Sequence, residues 1–405
     1  MDRQKPVDAP SSNHDIAHPL NGLTVLELGH SVAAPFAGQI LADLGARVIK
    51  VEKASGDDAR GWGPPFVDGA SAVFQSLNRN KESIICQLRD PSQVAALVHF
   101  IEAEVDVVLQ NLRPGQVTVL GLDAQTLRTL KPALVYCNMG AFGRTGPLKD
   151  RPGYDPLMQA FGGIMSTTGE QGRPSVRVAS SIVDMGTGMW AVIGILSAVY
   201  RRVATGQGSV VDVSLFETAA TWMSVIAAQT TVTGESPDRY GSGVSSIVPY
   251  KAYATTDGEV VVAAGSDGLF RKLANALGRP EWATDERFHD NPNRVVHQSA
   301  LYALLEPIFA SRSTAEWVDH MEGAGIPAAP VNSVLQMLEH PQTAALGLLQ
   351  SLPGSSINVL GLPVSYDGVR PTPRSASPTL GAHTSLVLDP YLNTQKKQVL
   401  THVSD

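Results

Sequence analysis

Short runs rich in Val, Ile and Leu alternate with helix-length stretches through residues 20–140, and no other feature of the chain restricts its fold so strongly. LTVLEL (23–28) is followed by GHSVAAPFAGQILADLGA and then by RVIKVEK (47–53), which reads as strand, helix, strand. A parallel pair joined in this way makes a right-handed crossover unit. Residues 84–88, 105–109 and 133–137 supply further strands, and 209–215 another. Between them, Asp90-Pro91-Ser92-Gln93 opens a helix with a capping side chain, Pro at the first helical position and Gln at the capping-box position. A second helical stretch covers 123–130. Apolar strands that alternate with helices belong to a sheet covered on both faces, so the pattern predicts an α/β fold with a doubly wound parallel sheet.

The stretch RPSVRVASSIVDMGTGMWAVIGILSAVYRRVATGQG (173–208) carries an apolar run from 189 to 200, shorter than the ~20 residues a bilayer span needs. It is apolar almost all round, which predicts a helix buried in a large soluble fold. Asp184 stands at the start of that helix, where orphan N–H groups and the helix dipole favour a carboxylate. Gly186 and Gly188 allow another backbone or a ligand to approach it closely. Two readings of Asp184 follow: an N-cap, or a carboxylate in a dry pocket acting as nucleophile or acid–base.

Beyond 209–215, the polar stretch TVTGESPDRYGSGVSS reads as a linker, and YKAYATTDGEVVVAA (250–264) as a hairpin turning at Asp257-Gly258. Ser313-Thr314-Ala315-Glu316 is a capping box. The expected organisation is a flexible tail over 1–18, a large domain over 19–224, a small α+β domain over 225–330, and a return segment over 331–405 that completes the large domain.

A net charge of −7 argues against nucleic acid or a membrane surface as a partner. Cys86 and Cys137 lie in apolar runs, and residues 1–19 lack an apolar signal core; both fit a reducing, cytoplasmic compartment. Glu52 ends the second strand at the spacing of a dinucleotide fold, but the turn Gly29-His30-Ser31-Val32-Ala33-Ala34-Pro35 is not G-x-G-x-x-G, which disfavours NAD. No P-loop, G-x-S-x-G elbow or paired-histidine metal motif occurs in the chain, so no metal is expected. His30 ends the first strand, where open α/β sheets bind ligands. Lys53, Lys81, Arg89 and Arg113 fall at strand ends or in the loops after them, where they form either a solvated face or a cradle for the phosphates of a nucleotide-bearing cofactor.

Six blocks of this chain, in order, resemble the family III CoA transferases, which include formyl-CoA transferase and carnitine CoA-transferase. They are LNGLTVLELGHSVAAPFAGQILADLGARVIKVEK, LNRNKESI, VVLQNLRPG, GRTGPLKDRPGYDPLMQAFGGIMSTTGE, the Asp184 stretch with TGQGSVVDVSL, and AGIPAAPVNS. The resemblance implies an interlaced homodimer of ring-shaped chains, each with a large Rossmann-like domain and a smaller one. It implies that Asp184 is a nucleophile attacking an acyl-CoA thioester, and that coenzyme A comes as substrate with no tightly bound cofactor. A carboxylic acid then takes up the CoA. By the same resemblance Val32, Ala33, Lys53, Cys86, Arg89, Asn111, Leu112, Arg113 and Tyr154 contact CoA. The family's glycine loop matches Gly241-Ser242-Gly243 loosely. Val119 stands where several members carry a CoA-phosphate Arg, so Arg113 substitutes or CoA affinity differs.

The segment 246–253 is similar to members that use succinyl-CoA and dicarboxylates, which makes succinyl-CoA the expected donor and a dicarboxylate the expected acceptor. Arg177 is then a candidate partner for the distal carboxylate. Two alternatives remain open: a 2-methylacyl-CoA racemase, in which His replaces the Tyr of Gly153-Tyr154-Asp155, and a non-catalytic CoA-ester binding protein. Tyr, with a reference pKa of ~10, is a poor base at neutral pH, which favours transfer over racemisation.

Overall fold

The computed structural model describes residues 16–392; of the tail expected over 1–18, residues 1–15 lie outside the described residues. β1 (Thr24–Leu28), β2 (Arg47–Glu52), β3 (Lys81–Ile85), β4 (Val107–Gln110), β5 (Val135–Gly140) and β6 (Val210–Ser214) form a six-stranded parallel sheet in the order β3-β2-β1-β4-β5-β6. That order reverses direction between β1 and β4, and the crevice at such a switch point is where open α/β sheets take their ligands.

The two-residue period of β1 separates the faces. Leu26 and Leu28 join Ala96, Leu97, Phe100 and Ile101 of helix 91–104 in one apolar core. Glu27 points to the other face, under α1 (Ala33–Asp43), where Gly38 makes room for it: a Cβ there would lie 2.0 Å from Glu27 Oε2. Both faces are therefore covered, as the Val/Ile-rich strands require.

Glu27 anchors a fully buried ionic cluster. Lys50 Nζ lies 2.9 Å from Glu27 Oε1, 2.8 Å from Asp57 Oδ2 and 2.8 Å from the Gly29 carbonyl. Lys81 Nζ donates to Glu27 Oε2 at 2.7 Å, the Pro35 carbonyl at 2.8 Å and Asn78 Oδ1 at 2.9 Å. Burial pushes Lys81 down to about 8, with Lys50 adding to the fall and Glu27 opposing it. Burial also acts against charge on Lys50, but Glu27 and Asp57 together leave it raised. The third strand thus begins at Lys81, three residues before the expected start at 84, and Lys81 is not a basic group on the ligand-binding rim. Its polarity hides the strand from a hydrophobicity reading; the buried partner, Glu27, is remote in sequence.

The free edge of β3 is covered by the return segment. His383 Nδ1 accepts the Ser83 N–H at 3.1 Å, and Thr384 Oγ1 accepts the Ile85 N–H at 2.9 Å. This blocks the unpaired edge from pairing with another chain.

The chain divides into two compact units. The second comprises Gly163–Val178 and Met223–His340. The segment 163–178, expected in the large domain, belongs to it, and so does 331–340, expected in the return segment. In this unit β7 (Tyr250–Ala254), β8 (Glu259–Ala263) and β9 (Ala328–Pro330) form an antiparallel sheet over a core that includes Tyr253, Phe270, Phe309 and Trp317. The buried Arg294 donates to the carbonyls of Val248, Gly265 and Phe288 and to Asp267, so its charge and donors are satisfied within the unit.

Candidate active site

Asp184 sits in the first turn of α5 (Ile182–Thr205) as the third helical residue. It is not the cap. Ser181 precedes the helix without a side-chain cap bond, and the carboxylate that serves the helix is Asp155, at the start of helix 155–161. Asp155 Oδ2 accepts the N–H groups of Val183 at 2.8 Å and Asp184 at 3.2 Å; Gln159 Nε2 donates to Asp155 Oδ1 at 2.6 Å. With its own peptide held by another acid, the Asp184 carboxyl is released from capping.

Asp184 is half-buried, and its pKa is pushed up to about 7, first by loss of solvent and then by the charge of Asp155. A poorly hydrated carboxylate is a better nucleophile than a solvated one. One turn on, Gly188 shares its face of α5. A Cβ at Gly188 would lie 2.9 Å from the Ala33 carbonyl and 3.0 Å from the Phe36 ring, so only glycine lets α5 press against the first turn of α1. The N-terminus of α1 has no side-chain cap; Pro35 has no N–H and Phe36 donates to the Val32 carbonyl, which leaves the N–H groups of Ala33 and Ala34 for a negative charge.

The turn 29–32 after β1 borders that N-terminus. Ser31 has φ +70°, a left-handed conformation costing a residue other than glycine roughly 1–3 kcal/mol. Asn111, just past β4, brackets His30: its Oδ1 accepts the His30 N–H and its Nδ2 donates to the His30 carbonyl, both at 3.0 Å. These bonds bridge the two strand ends at the switch point. Loss of solvent is the main influence holding the His30 ring below the usual imidazole value, against the pull of Asp57; the residue's outer part is exposed.

Most of the residues expected to contact CoA follow the carboxyl ends of neighbouring strands. In sheet order these are Cys86 and Arg89 after β3, Lys53 after β2, His30, Val32 and Ala33 after β1, and Asn111, Leu112 and Arg113 after β4. At ~4.8 Å per strand the row spans ~15 Å. Arg89, Lys53 and Arg113 are exposed; Lys53 pairs with Asp58 at 2.6 Å. Cys86 is buried, its thiol pushed up to about 12 by desolvation, and its N–H donates to the Glu52 carbonyl. Tyr154 is exposed and precedes helix 155–161. Val119 is exposed.

Arg177, Gly241 and Gly243 belong to the second unit. Arg177 is exposed there; Gly241, at φ +61°, donates its N–H to the Gly169 carbonyl at 2.8 Å, and Gly243 to that of Tyr240 at 2.9 Å.

Sequence reasoning missed Asp155, Asp57 and Lys50. Asp155-Pro156 carries the same helix-opening signature as Asp90-Pro91, a usable local signal. That it would cap a different helix is set by tertiary contact.

CoA transfer that depends on an ionised Asp184 rises with pH through about 7. Asp155→Asn keeps an acceptor for the two N–H groups and removes the neighbouring charge, so the acid limb of the kcat/KM profile moves to lower pH. Desolvation, the larger cause, stays in place. An unmoved limb would show that Asp155 exerts no field on Asp184.

Comparison with known proteins places these features. CoA-transferase family III is matched over residues 20–384. A succinyl-CoA:glutarate CoA-transferase of Mus musculus is 35% identical over 383 residues, covering 94% of this chain and 88% of the relative. A succinate–glutarate CoA-transferase of Agrobacterium fabrum is 35% identical, covering 91% and 95%. The crystal structure of a CAIB/BAIF family protein from Brucella suis matches with a TM-score of 0.82 at 38% identity, over 93% of this chain and 100% of that one. With a six-stranded sheet reversing at β1/β4 and a family match running almost end to end, the chain belongs to CoA-transferase family III.

Proposed function

We propose that this chain transfers CoA from succinyl-CoA to a dicarboxylic acid, with Asp184 as the covalent carrier. The observation that carries the reading is the half-buried Asp184 carboxyl, relieved of capping by Asp155, on a helix whose Gly188, one turn on, packs against the first turn of α1.

One Asp184 oxygen attacks the thioester carbonyl carbon; a C–O bond forms, the C–S bond breaks, and CoA leaves as thiolate. The thiolate attacks the aspartyl carbonyl of the resulting anhydride. This expels the donor acid as carboxylate and leaves an aspartyl-CoA thioester. The acceptor carboxylate attacks that thioester, CoA leaves again, and its return to the acceptor carbonyl frees Asp184. Each tetrahedral intermediate carries an oxyanion that preorganised backbone N–H groups stabilise. Arg89, Lys53 and Arg113 lie along the strand-end row as partners for CoA phosphates, with His30, Val32, Ala33, Cys86, Asn111, Leu112 and Tyr154 completing the CoA site.

The dicarboxylate assignment rests on relatives that use glutarate and, in Chloroflexus aurantiacus, D-citramalate; the latter is 37% identical over 329 residues. Arg177 is the partner for the distal carboxylate of the acceptor. The chain works as an interlaced homodimer in the cytoplasm. In support, the outer face of α5 exposes Met185, Met189, Trp190 and Ile193, an apolar stripe on a helix whose composition calls for burial on all sides.

Mass spectrometry of succinyl-CoA incubated with a panel of mono- and dicarboxylic acids tests the reading. New thioesters should form with C4–C5 dicarboxylates, and Arg177→Ala should reduce these ~10–100-fold while sparing monocarboxylates. Equal loss for both classes would remove Arg177 from acceptor recognition. Deuterium uptake into a chiral 2-methylacyl-CoA without any acceptor would replace transfer by racemisation.

A further inference from the structure

The two peptide units on either side of His30, in the turn after β1, have both their C=O and their N–H held by side chains from elsewhere. The Gly29 carbonyl accepts from Lys50 Nζ at 2.8 Å, His30 is bracketed by Asn111 at 3.0 Å on both sides, and the Ser31 N–H donates to Asp57 Oδ1 at 3.2 Å. Lys50 and Asp57 are themselves joined at 2.8 Å, and Asp57 also accepts the Ala59 N–H at 3.0 Å. Neither side chain of the Lys50–Asp57 pair reaches solvent, with exposures of 0% and 1%, so neither is available to substrate. The turn they hold contains the left-handed Ser31 and runs directly into the uncapped N-terminus of α1, against which Gly188 of α5 packs one turn from Asp184.

A turn that carries a non-glycine residue at φ +70° would relax without such support. The Lys81 arm of the same ionic cluster reaches Glu27, Asn78 and the Pro35 carbonyl in the first turn of α1, so among the described residues it is the Lys50 arm that holds the turn 29–31 itself.

We infer that Lys50, Asp57 and Asn111 are positioning residues for the transfer reaction: a buried clamp that fixes turn 29–31, and through it the first turn of α1, against Asp184. The inference rests on Asp184 being the acylated residue. The clamp touches neither the nucleophile nor the thioester. Loosening it slows acylation at saturating substrate; at Asp57, which is sealed from solvent and lies outside the strand-end row, it also leaves CoA binding in place.

Asp57→Asn and Asn111→Ala separate this role from a purely structural one. In the first, the amide cannot accept from both Ser31 and Lys50, since one of its ends is a donor. The second removes both bonds to His30 at a half-buried, uncharged position, and so stays foldable should Asp57→Asn not be. The readout is the single-turnover rate at which saturating succinyl-CoA forms hydroxylamine-sensitive acyl-enzyme, with CoA affinity and melting temperature measured alongside.

The clamp predicts a roughly 10–100-fold slower acylation at saturating succinyl-CoA in either variant, with the dissociation constant for CoA changed by less than about threefold in Asp57→Asn. A lower melting temperature with an unchanged acylation rate per folded molecule would make the network merely structural and overturn the inference. A loss confined to CoA affinity in both variants, with acylation at saturation unchanged, would overturn it too. Wild-type protein that forms no acyl-enzyme would instead remove the covalent role of Asp184.

Discussion

Asp184→Asn abolishes CoA transfer, lowering the rate at least ~10⁴-fold, and at the same time makes the folded chain more stable. The activity loss follows because an amide cannot form the anhydride. The gain in stability follows from the raised pKa. An unfolded Asp titrates at ~3.9, whereas folded Asp184 titrates at about 7, so between these values the native state holds a proton the unfolded state has released. The advantage of the protonated form is complete below ~4 and is lost as pH rises through about 7. At pH ~8 the wild-type chain therefore keeps a poorly solvated charge beside Asp155, and the Asn variant does not. After allowance for partial solvent access the difference is roughly 1–3 kcal/mol at pH ~8 and shrinks toward pH ~5. Denaturant unfolding of both proteins at the two pH values measures it. Equal stability at both would mean that Asp184 is well solvated.

The second large effect is expected at Glu27, far from any chemistry. Glu27→Gln removes the carboxylate shared by Lys50 and Lys81, both fully buried. Lys50 retains Asp57, but Lys81 keeps only the Pro35 carbonyl and the Asn78 amide oxygen. Breaking one partner out of a buried ionic group costs about 3–5 kcal/mol, because the remaining charge stays desolvated. The denaturation midpoint of the sheet-bearing unit should fall accordingly, with the slope unchanged. A loss under about 1 kcal/mol would show that water reaches Lys81 once the carboxylate is gone.

The sheet was largely legible in the sequence because its strands obey a local rule. LTVLEL and RVIKVEK are each rich in Val, Ile or Leu and flank a helix-length stretch, and they occupy β1 and β2 within a residue or two. The rule failed at β3, where Lys81 and Glu82 open the strand. A hydrophobicity pattern reads them as a loop and slides the strand toward Leu88. Their place is set by Glu27, 54 residues earlier for Lys81, and by Arg47 for Glu82.

The central helix failed in a different way. Its composition predicts burial all round, and the chain by itself buries the face that carries Gly186, Gly188 and Ile195, leaving Met189 and Ile193 exposed. At 24 residues it is also longer than the apolar run 189–200 alone indicates. Asp184 was visible as a carboxylate at a helix start, which is a local property. Whether it capped that helix depended on Asp155, whose side chain arrives from 29 residues upstream. The strand-end row of His30, Lys53, Arg89, Asn111 and Arg113 could be expected once the strands were placed, since parallel order puts successive strand ends on one rim. The clamp beneath that row, Lys50 and Asp57, could not: buried charges carry no pattern that separates them from surface ones.

The covalent role of Asp184 is tested most directly by the fate of an oxygen atom. In the proposed sequence the acceptor carboxylate donates one oxygen to the aspartyl anhydride, and the final attack by CoA leaves that oxygen on Asp184. Turnover of succinyl-CoA with an ¹⁸O-labelled dicarboxylate, followed by peptide mass analysis, should place the label on the peptide that carries Asp184. Product formation with no ¹⁸O in that peptide, or with the label on another acidic residue, would contradict the account.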